Sequence, residues 1–168
     1  MDSLIRTLGP ADLYELVRLN NAAVPAVPQS TEADIARLVE LAAVAVAAVS
    51  ADEPNRVLGF MIAIEPGRPY DSENYLWFEA RGIDHLYVDR LVVAEDARGA
   101  GVGRLLYAQV FEAARAAGRA EVTCEVNVQP PNPGSMLFHE RLGFTEVGRQ
   151  ETKGGSVVVA LLTAGVRD

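Results

Sequence analysis

The amino-acid sequence predicts an α/β (α+β) protein, a sandwich of helices around one mixed sheet. Segments with strand-like and helix-like spacing follow one another in the order β-α-α-β-β-β-α-β-α-β-β. That order is typical of a sheet covered by helices. The chain has 168 residues, 49% of them hydrophobic, and no repeat or linker interrupts it. A chain of this size can bury a full core, so we expect a single domain over residues 1–168.

The first half of the chain predicts three strands and two helices. The first strand is SLIRTL, and DLYELVRLNN has the spacing of a helix. A second helix, TEADIARLVELA, opens with a capping residue and an acidic first turn. The next segment, VAVAAVS, could extend that helix, but its valines and the turn ADEPNR favour a strand paired with VLGFMIAI.

The second half continues with strands and helices in alternation. A strong strand, HLYVDRLVV, precedes a glycine-rich turn and a helix from about Val102 to Ala117. The segment EVTCEVNV alternates polar and apolar residues, as a half-buried strand does. A short helix, GSMLFHERLGF, ends at Gly143, and FTEVGRQ and SVVVALL indicate a closing hairpin around KGG.

Composition excludes several function classes. A formal charge of −8 argues against a nucleic-acid partner. The longest apolar run, LAAVAVAAV, is too short to span a membrane as a helix. The first residues, MDSLIRTLGP, lack the regions of a signal peptide, and a single cysteine fits a reducing compartment. We therefore expect a cytoplasmic protein without a membrane or nucleic-acid partner.

Neither a metal site nor a cysteine nucleophile is favoured. Two histidines without clustered cysteines predict no metal. A Cys–His enzyme would need Cys124 with His85 or His139. Cys124 alternates with Val122 and Val126, which places it on the apolar face of its strand.

The motif RGAGVGR, residues 98–104, indicates a phosphate site. A strand, a glycine turn and a helix N-terminus together expose amide N–H groups to an anion. A P-loop needs Lys-Ser/Thr after the glycines, and Arg104-Leu105 stands there instead. A dinucleotide fingerprint needs G-x-G-x-x-G, whereas the spacing here is G-x-G-x-G, so a nicotinamide oxidoreductase is a distant alternative. A third pattern, Arg/Gln-x-x-Gly-x-Gly/Ala, fits Arg98, Gly101 and Gly103.

With that pattern, the chain resembles the GNAT acyltransferase superfamily over nearly its whole length. LVVAEDARGAGVGRLLY is similar to the family's strand, loop and helix, and NPGSMLFHERLGF to its later Asn-x-x-Ser…Gly-Phe segment. NYLWF, DRLVV and CEVNVQPPNP resemble one bacterial branch of predicted acetyltransferases. The resemblance implies a mostly antiparallel sheet with helices on both faces and acetyl-CoA as cosubstrate. It implies coenzyme contacts at Leu91, Val92, Val93, Arg98, Gly99, Ala100, Gly101, Val102, Gly103, Arg104, Asn132, Ser135 and Phe138.

The resemblance also implies direct attack of an amine on the thioester, in a gap between two splayed parallel strands. Many family members place a tyrosine acid where this chain has His139, and some carry a glutamate where it has Tyr87. Histidine can donate a proton near neutral pH, although a packing role is an equal alternative. Asp89, Glu125 and Asn127 are further candidates for deprotonating the amine, as is water alone.

Two loops stand out as candidates for the acceptor site. AVPAVPQS, residues 23–30, carries two prolines, and Glu65–Asp84 is long for a compact domain. Aromatic groups in the second loop, Tyr75, Trp77 and Phe78, predict an acceptor wall together with Glu125, although capping of the sheet edge is the alternative. We expect a small-molecule or peptide amine as acceptor; a non-catalytic acyl-CoA-binding module is the alternative, and a homodimer is left open.

Overall fold

The computed structural model describes residues 2–167. Strands β1 to β7 cover Ser3–Thr7, Val44–Ser50, Val57–Ile64, His85–Val93, Glu121–Gln129, Thr145–Thr152 and Val157–Gly165. Helices α1 to α5 cover Leu13–Ala22, Glu32–Leu41, Glu73–Ala80, Val102–Ala116 and Pro133–Arg141. None of the helices within residues 2–167 combines the length and apolar character needed to cross a bilayer.

The predicted order of strands and helices is confirmed, and one helix was missed. Helix α2 begins at the expected cap, where Thr31 Oγ1 accepts from Asp34 N at 3.2 Å and the Asp34 carboxylate accepts from Thr31 N at 2.8 Å. VAVAAVS is strand β2 and not a helix extension. Helix α3 lies inside Glu65–Asp84, which the sequence predicted to be a loop throughout, so that prediction is corrected.

The strands form a seven-stranded sheet in the order β1-β2-β3-β4-β5-β7-β6. The pairs β1/β2, β2/β3, β5/β7 and β6/β7 are antiparallel, and β4/β5 is parallel. The predicted mixed α/β fold with a mostly antiparallel sheet is thereby confirmed.

Contacts divide the chain into two units. The first comprises residues 2–64 with Val88–Val110. Its central strand β3 is buried along its whole length, as expected of the continuous apolar run VLGFMIAI. Leu16 of α1 and Ile35 of α2 are fully buried, so both helices turn an apolar side inward.

The second unit comprises Glu65–Tyr87 with residues 111–167. Its core contains the fully buried Tyr75, Phe78 and Tyr87. The pairing of β4 with β5 within this unit runs from His85↔Glu121 to Tyr87↔Thr123. The remainder of β4 belongs to the first unit, which also holds the start of α4.

Candidate functional site

The glycine turn before α4 has a backbone conformation that a residue with a side chain could adopt only under strain. Gly99 and Gly101 have φ values of 78° and 84°. Residues with a Cβ rarely adopt this left-handed region, so glycine is required at both positions. A Cβ built on either residue would meet no atom of the protein within 4 Å. The turn is therefore open on the side where the glycines lack side chains, and a ligand can approach the main chain there.

Helix α4 presents free amide groups beside this opening. The first intrahelical bond runs from Leu105 N to Gly101 O at 3.0 Å. The amides of Val102, Gly103 and Arg104 precede that bond and have no carbonyl partner inside the helix. The helix dipole adds positive potential at this end. Exposed arginines, Arg98 and Arg104, flank the turn on either side, which adds formal positive charge. The arrangement can bind an anion such as a phosphate.

The carboxyl end of β4 is held against β3 and leads into this turn through the 3-10 turn Glu95–Ala97. A Cβ at Gly59 would lie 2.7 Å from Val92 O, so only glycine allows β3 to pass this close. Ala94 N donates to Leu58 O at 2.8 Å at the end of the strand. Val92 is buried, while Leu91 and Val93 remain half-exposed. The predicted coenzyme platform and the glycine turn are thus close in sequence and lie in one unit.

Asp89 forms an ion pair with its neighbour in β4. Its carboxylate accepts from Arg90 Nε at 3.0 Å, and the two side chains are 5% and 8% exposed. In the structure the Asp89 carboxylate therefore forms a buried ion pair, and its catalytic role stays a prediction.

Tyr87 and Glu125 form one pair in the second unit. The Tyr87 hydroxyl donates to Glu125 Oε1 at 2.9 Å. Tyr87 is fully buried against the rings of Tyr75 and Phe78, whose centroids are 5.6 and 5.9 Å away. Sequence reasoning proposed Tyr87 and Glu125 separately; the structure joins them and gives Glu125 a neutral donor as partner.

Helix α5 brings together Asn132, Ser135 and His139. Asn132 caps the helix by accepting from Ser135 N at 3.3 Å, and its own N–H donates to Asn127 O at 3.1 Å. His139 Nδ1 lies 2.8 Å from Ser135 O, and since a carbonyl only accepts, Nδ1 carries the proton. The ring packs edge-on against Phe138 and Phe144, with centroids 5.2 and 5.3 Å away.

His139 is buried, and its surroundings change its pKa. It is 4% exposed, and this burial lowers the pKa of its imidazole, while the bond to Ser135 O raises it by a smaller amount. The neutral ring with its proton on Nδ1 has only an acceptor at Nε2. The assignment of His139 as the acid for the departing thiolate stays a prediction, and in the structure the ring packs against Phe138 and Phe144.

The aromatic residues of α3 do not form an exposed wall. Tyr75 and Phe78 are 0% exposed, and the Tyr75 hydroxyl donates to Glu65 O at 2.8 Å. Trp77 is half-buried and packs on β6, where a Cβ at Gly148 would come within 2.6 Å of its ring. The expectation that these residues form an exposed acceptor wall does not fit Tyr75 and Phe78, because the helix turns both rings into the core of its own unit, while Trp77 is half-buried.

Sequence reasoning missed one element of the site, the contacts of Arg90. Its guanidinium is buried and lies within hydrogen-bond distance of Asn20, Pro28 and Ser30. The signal was available, because a cation inside the apolar strand HLYVDRLVV must have buried partners. Among residues 2–167 no three His, Cys, Asp or Glu side chains come together in a way that could hold a metal ion.

Comparison with known proteins gives a family match and several similar structures. The family model described as acetyltransferase (GNAT) family matches residues 13–144. No curated protein matches the chain. The match confirms the resemblance that the glycine motif and its surroundings indicated.

Three solved structures have the same fold. Ard1 from Thermoplasma volcanium has a TM-score of 0.81 at 18% identity, with 100% of both chains covered. The ribosomal-protein-S18-alanine N-acetyltransferase from Escherichia coli has a TM-score of 0.73 at 16% identity, covering 99% of this chain and 96% of its own. The structure of yncA from Salmonella typhimurium with its cofactor acetyl-CoA has a TM-score of 0.73 at 17% identity, covering 100% and 96%. At these identities the similarity establishes the fold.

Proposed function

The chain belongs to the acetyltransferase (GNAT) family, and we propose that it transfers the acetyl group of acetyl-CoA to the amino group of a small molecule or peptide. The observation that most supports this proposal is the geometry of the glycine turn. Its open backbone at Gly99 and Gly101 and the amides at the start of α4 fit a pyrophosphate group. Similar structures include one with acetyl-CoA and one named as an N-acetyltransferase of a ribosomal protein, which support the cosubstrate and the amine acceptor.

We assign each part of acetyl-CoA to residues in and around the turn. The amides of Val102, Gly103 and Arg104 hold the pyrophosphate, and Arg98 adds charge beside it. The main chain of Leu91 to Val93 takes the extended pantetheine arm in the manner of an added strand. A backbone N–H near Val92 or Val93 then polarises the thioester carbonyl and stabilises the oxyanion. Further coenzyme contacts are still predicted at Asn132, Ser135 and Phe138.

The proposed reaction is a direct transfer. The neutral amine nitrogen attacks the carbonyl carbon of the thioester, a C–N bond forms, and the C–S bond breaks. The amine loses one proton, and the coenzyme leaves as a thiolate that is protonated afterwards. A thiol with an ordinary pKa of about 8.5 leaves readily, so the reaction has little need of a dedicated acid. This fits a chain whose candidate acid, His139, is buried and neutral.

Glu125 is the proton acceptor in this proposal. Its carboxylate accepts from the Tyr87 hydroxyl at 2.9 Å, and a carboxylate side chain can serve as a general base. Glu125→Gln should lower kcat/KM for the amine by about a hundredfold or more while the KM for acetyl-CoA holds.

Tyr87→Phe is the matched control for Glu125→Gln, because it removes the hydrogen bond and leaves the carboxylate in place. It should lower kcat/KM by less than Glu125→Gln does. Equal losses in both variants, or full activity in Glu125→Gln, would assign the deprotonation to water or to another group.

Release of coenzyme A from acetyl-CoA tests the proposed function. A thiol assay would follow release on adding tetrapeptides with N-terminal Ala, Ser, Met or Leu, free amino acids, phenethylamine, ethanolamine and spermidine. We expect release that depends on at least one amine, with an acetylated product of the corresponding mass. Binding of acetyl-CoA without amine-dependent release would indicate a binding module instead of an enzyme.

A further inference from the structure

Strand β3 carries a single glycine, Gly59, inside its continuous apolar run. Glycine in the interior of a strand weakens it, because the residue loses more chain entropy on folding and packs no side chain. The φ of Gly59 lies outside the left-handed region, so residues with a side chain can adopt the same backbone conformation. The reason for glycine at this position must therefore be the space around it.

The space beside Gly59 is occupied by the end of β4 and the start of α4. A Cβ built on Gly59 would lie 2.7 Å from Val92 O, 3.1 Å from Val102 Cγ1 and 3.3 Å from Val93 Cα. Two of these three neighbours are main-chain atoms, which cannot rotate away as the end of a side chain can. A residue with a Cβ at this position must therefore shift β3, or the segments packed against it.

The neighbours of Gly59 belong to two different parts of the proposed coenzyme site. Val92 and Val93 end β4 and form the part of the coenzyme platform where the thioester is proposed to bind. Val102 is the first residue of α4, and its amide is one of those proposed to form the phosphate site. Its side chain is 2% exposed and lies against Gly59. Strand β3 therefore supports both parts of the site at this one residue.

The strand is also bonded to the end of β4 beside Gly59. Ala94 N donates to Leu58 O at 2.8 Å. The register of β2 with β3 shifts between Ala48 and Val49, which leaves Leu58 as an extra residue in β3. A bulge of this kind bends a strand and redirects its groups. The bond from Ala94 thus fixes where β4 leaves the sheet, while Gly59 allows its last residues to lie close to β3.

We propose that Gly59 is a positioning residue that sets the separation between the coenzyme platform and the phosphate site, and so matches the protein to thioesters of coenzyme A. This inference rests on the proposed function and deepens it by naming the feature of the cosubstrate that the site selects. In acetyl-CoA a pantetheine arm of fixed covalent length joins the thioester to the pyrophosphate. Both ends bind at once only when the two sites are separated by a matching distance. Gly59 touches neither end and acts through Val92, Val93 and Val102.

Kinetics with two acetyl donors tests this role. S-acetylpantetheine has the thioester and the arm but no pyrophosphate, so it uses the platform alone. We expect Gly59→Ala to lower kcat/KM for acetyl-CoA about tenfold, because a small misplacement of one binding group weakens simultaneous contact at both sites. The loss with S-acetylpantetheine should be at most about threefold, since the shorter donor can follow the end of β4 when it moves. The KM of the panel amine of highest wild-type turnover should stay near its wild-type value.

Gly9→Ala is the matched control. Gly9 lies in the same unit and has extended backbone angles, φ −135° and ψ 173°. A Cβ there would come no closer than 4.0 Å to Asp12 Oδ2. The substitution adds the same methyl group without a clash, so it should change kcat/KM for neither acetyl donor.

A second variant covers the case in which Gly59→Ala does not fold. Val102→Ala removes the side chain that lies against Gly59 and leaves a gap, so the start of α4 loses part of its support. This variant should lower kcat/KM for acetyl-CoA a few-fold and leave that for S-acetylpantetheine near the wild-type value.

The ratio of the two kcat/KM values decides the outcome. Equal losses with both acetyl donors in folded Gly59→Ala, or an unchanged preference for acetyl-CoA in either variant, would overturn the inference. If the wild type binds acetyl-CoA but acetylates no amine, the proposed function fails. Calorimetric affinities for the two acetyl donors then test Gly59 separately, and the same change in their ratio is expected.

Discussion

At the scale of single residues, the environment of His139 decides its chemistry. Burial lowers the pKa of the imidazole below the value of about 6.5 that it has in an unfolded chain. Between these two values the unfolded chain binds more protons than the folded chain. The contribution of His139 to the free energy of unfolding should therefore be fully present above about pH 6.5, and it should be lost as the pH falls through this range.

His139→Gln tests this assignment because glutamine keeps an N–H donor but cannot titrate. We expect the free energy of unfolding of the variant to depend less on pH than that of the wild type between about pH 7 and 5, as measured by urea titration. Turnover at neutral pH should stay within a few-fold of the wild type. A loss of tenfold or more in turnover, or parallel pH profiles, would return His139 to the role of proton donor that its place in the family motif suggested.

At the scale of elements, α3 is fixed to β6 by close contact between a ring and a glycine. Trp77 packs on Gly148, which lies at the register shift between β6 and β7. Gln150 Nε2 donates to Asn74 Oδ1 at 3.1 Å, and Lys153 N donates to Glu73 Oε2 at 3.2 Å. The aromatic residues of α3 therefore stabilise the second unit.

A double-mutant cycle on this contact should show coupling. Gly148→Ala places a Cβ 2.6 Å from the Trp77 ring and should destabilise the protein by about 1–3 kcal/mol. In a Trp77→Ala background the same change should cost less, because the ring no longer occupies the space. Additive losses in thermal or urea unfolding would show that the ring and the glycine are not in contact. Trp77→Ala alone should lower stability and leave the KM for the amine unchanged.

The sequence could predict most elements but not α3. Pro66, Gly67 and Pro69 at the start of this segment indicate a loop, and NYLWF is apolar on every side, so no helical period is visible. Ser72 is the one local signal, because its hydroxyl accepts from Tyr75 N at 3.4 Å and caps the helix. Aromatic rings that the sequence placed at the surface are buried because tertiary packing, which is not a local property, selects the helix.

At the scale of the whole molecule, the glycine turn was more predictable from the sequence than the side-chain pairs. The positive φ angles of Gly99 and Gly101 are a local property of the turn. Glycine is the residue that favours such angles, so the motif indicates them directly. The pairs Tyr87–Glu125 and Arg90–Ser30 join residues 38 and 60 positions apart, which spacing along one strand cannot reveal. An overall charge of −8 gives no sign of an anionic ligand, since the amides and arginines that fit one are local features.

Calorimetric titration of acetyl-CoA into the wild type, Gly101→Val and Gly118→Val tests the central claim most directly. Both glycines have positive φ, 84° and 67°, and a Cβ on either would contact no atom of the protein within 4 Å. Gly118 follows the opposite end of α4, so its substitution causes similar backbone strain away from the proposed phosphate site. We predict that the wild type and Gly118→Val bind acetyl-CoA, while folded Gly101→Val does not. Unchanged affinity in folded Gly101→Val, or no binding to the wild type, would contradict the account.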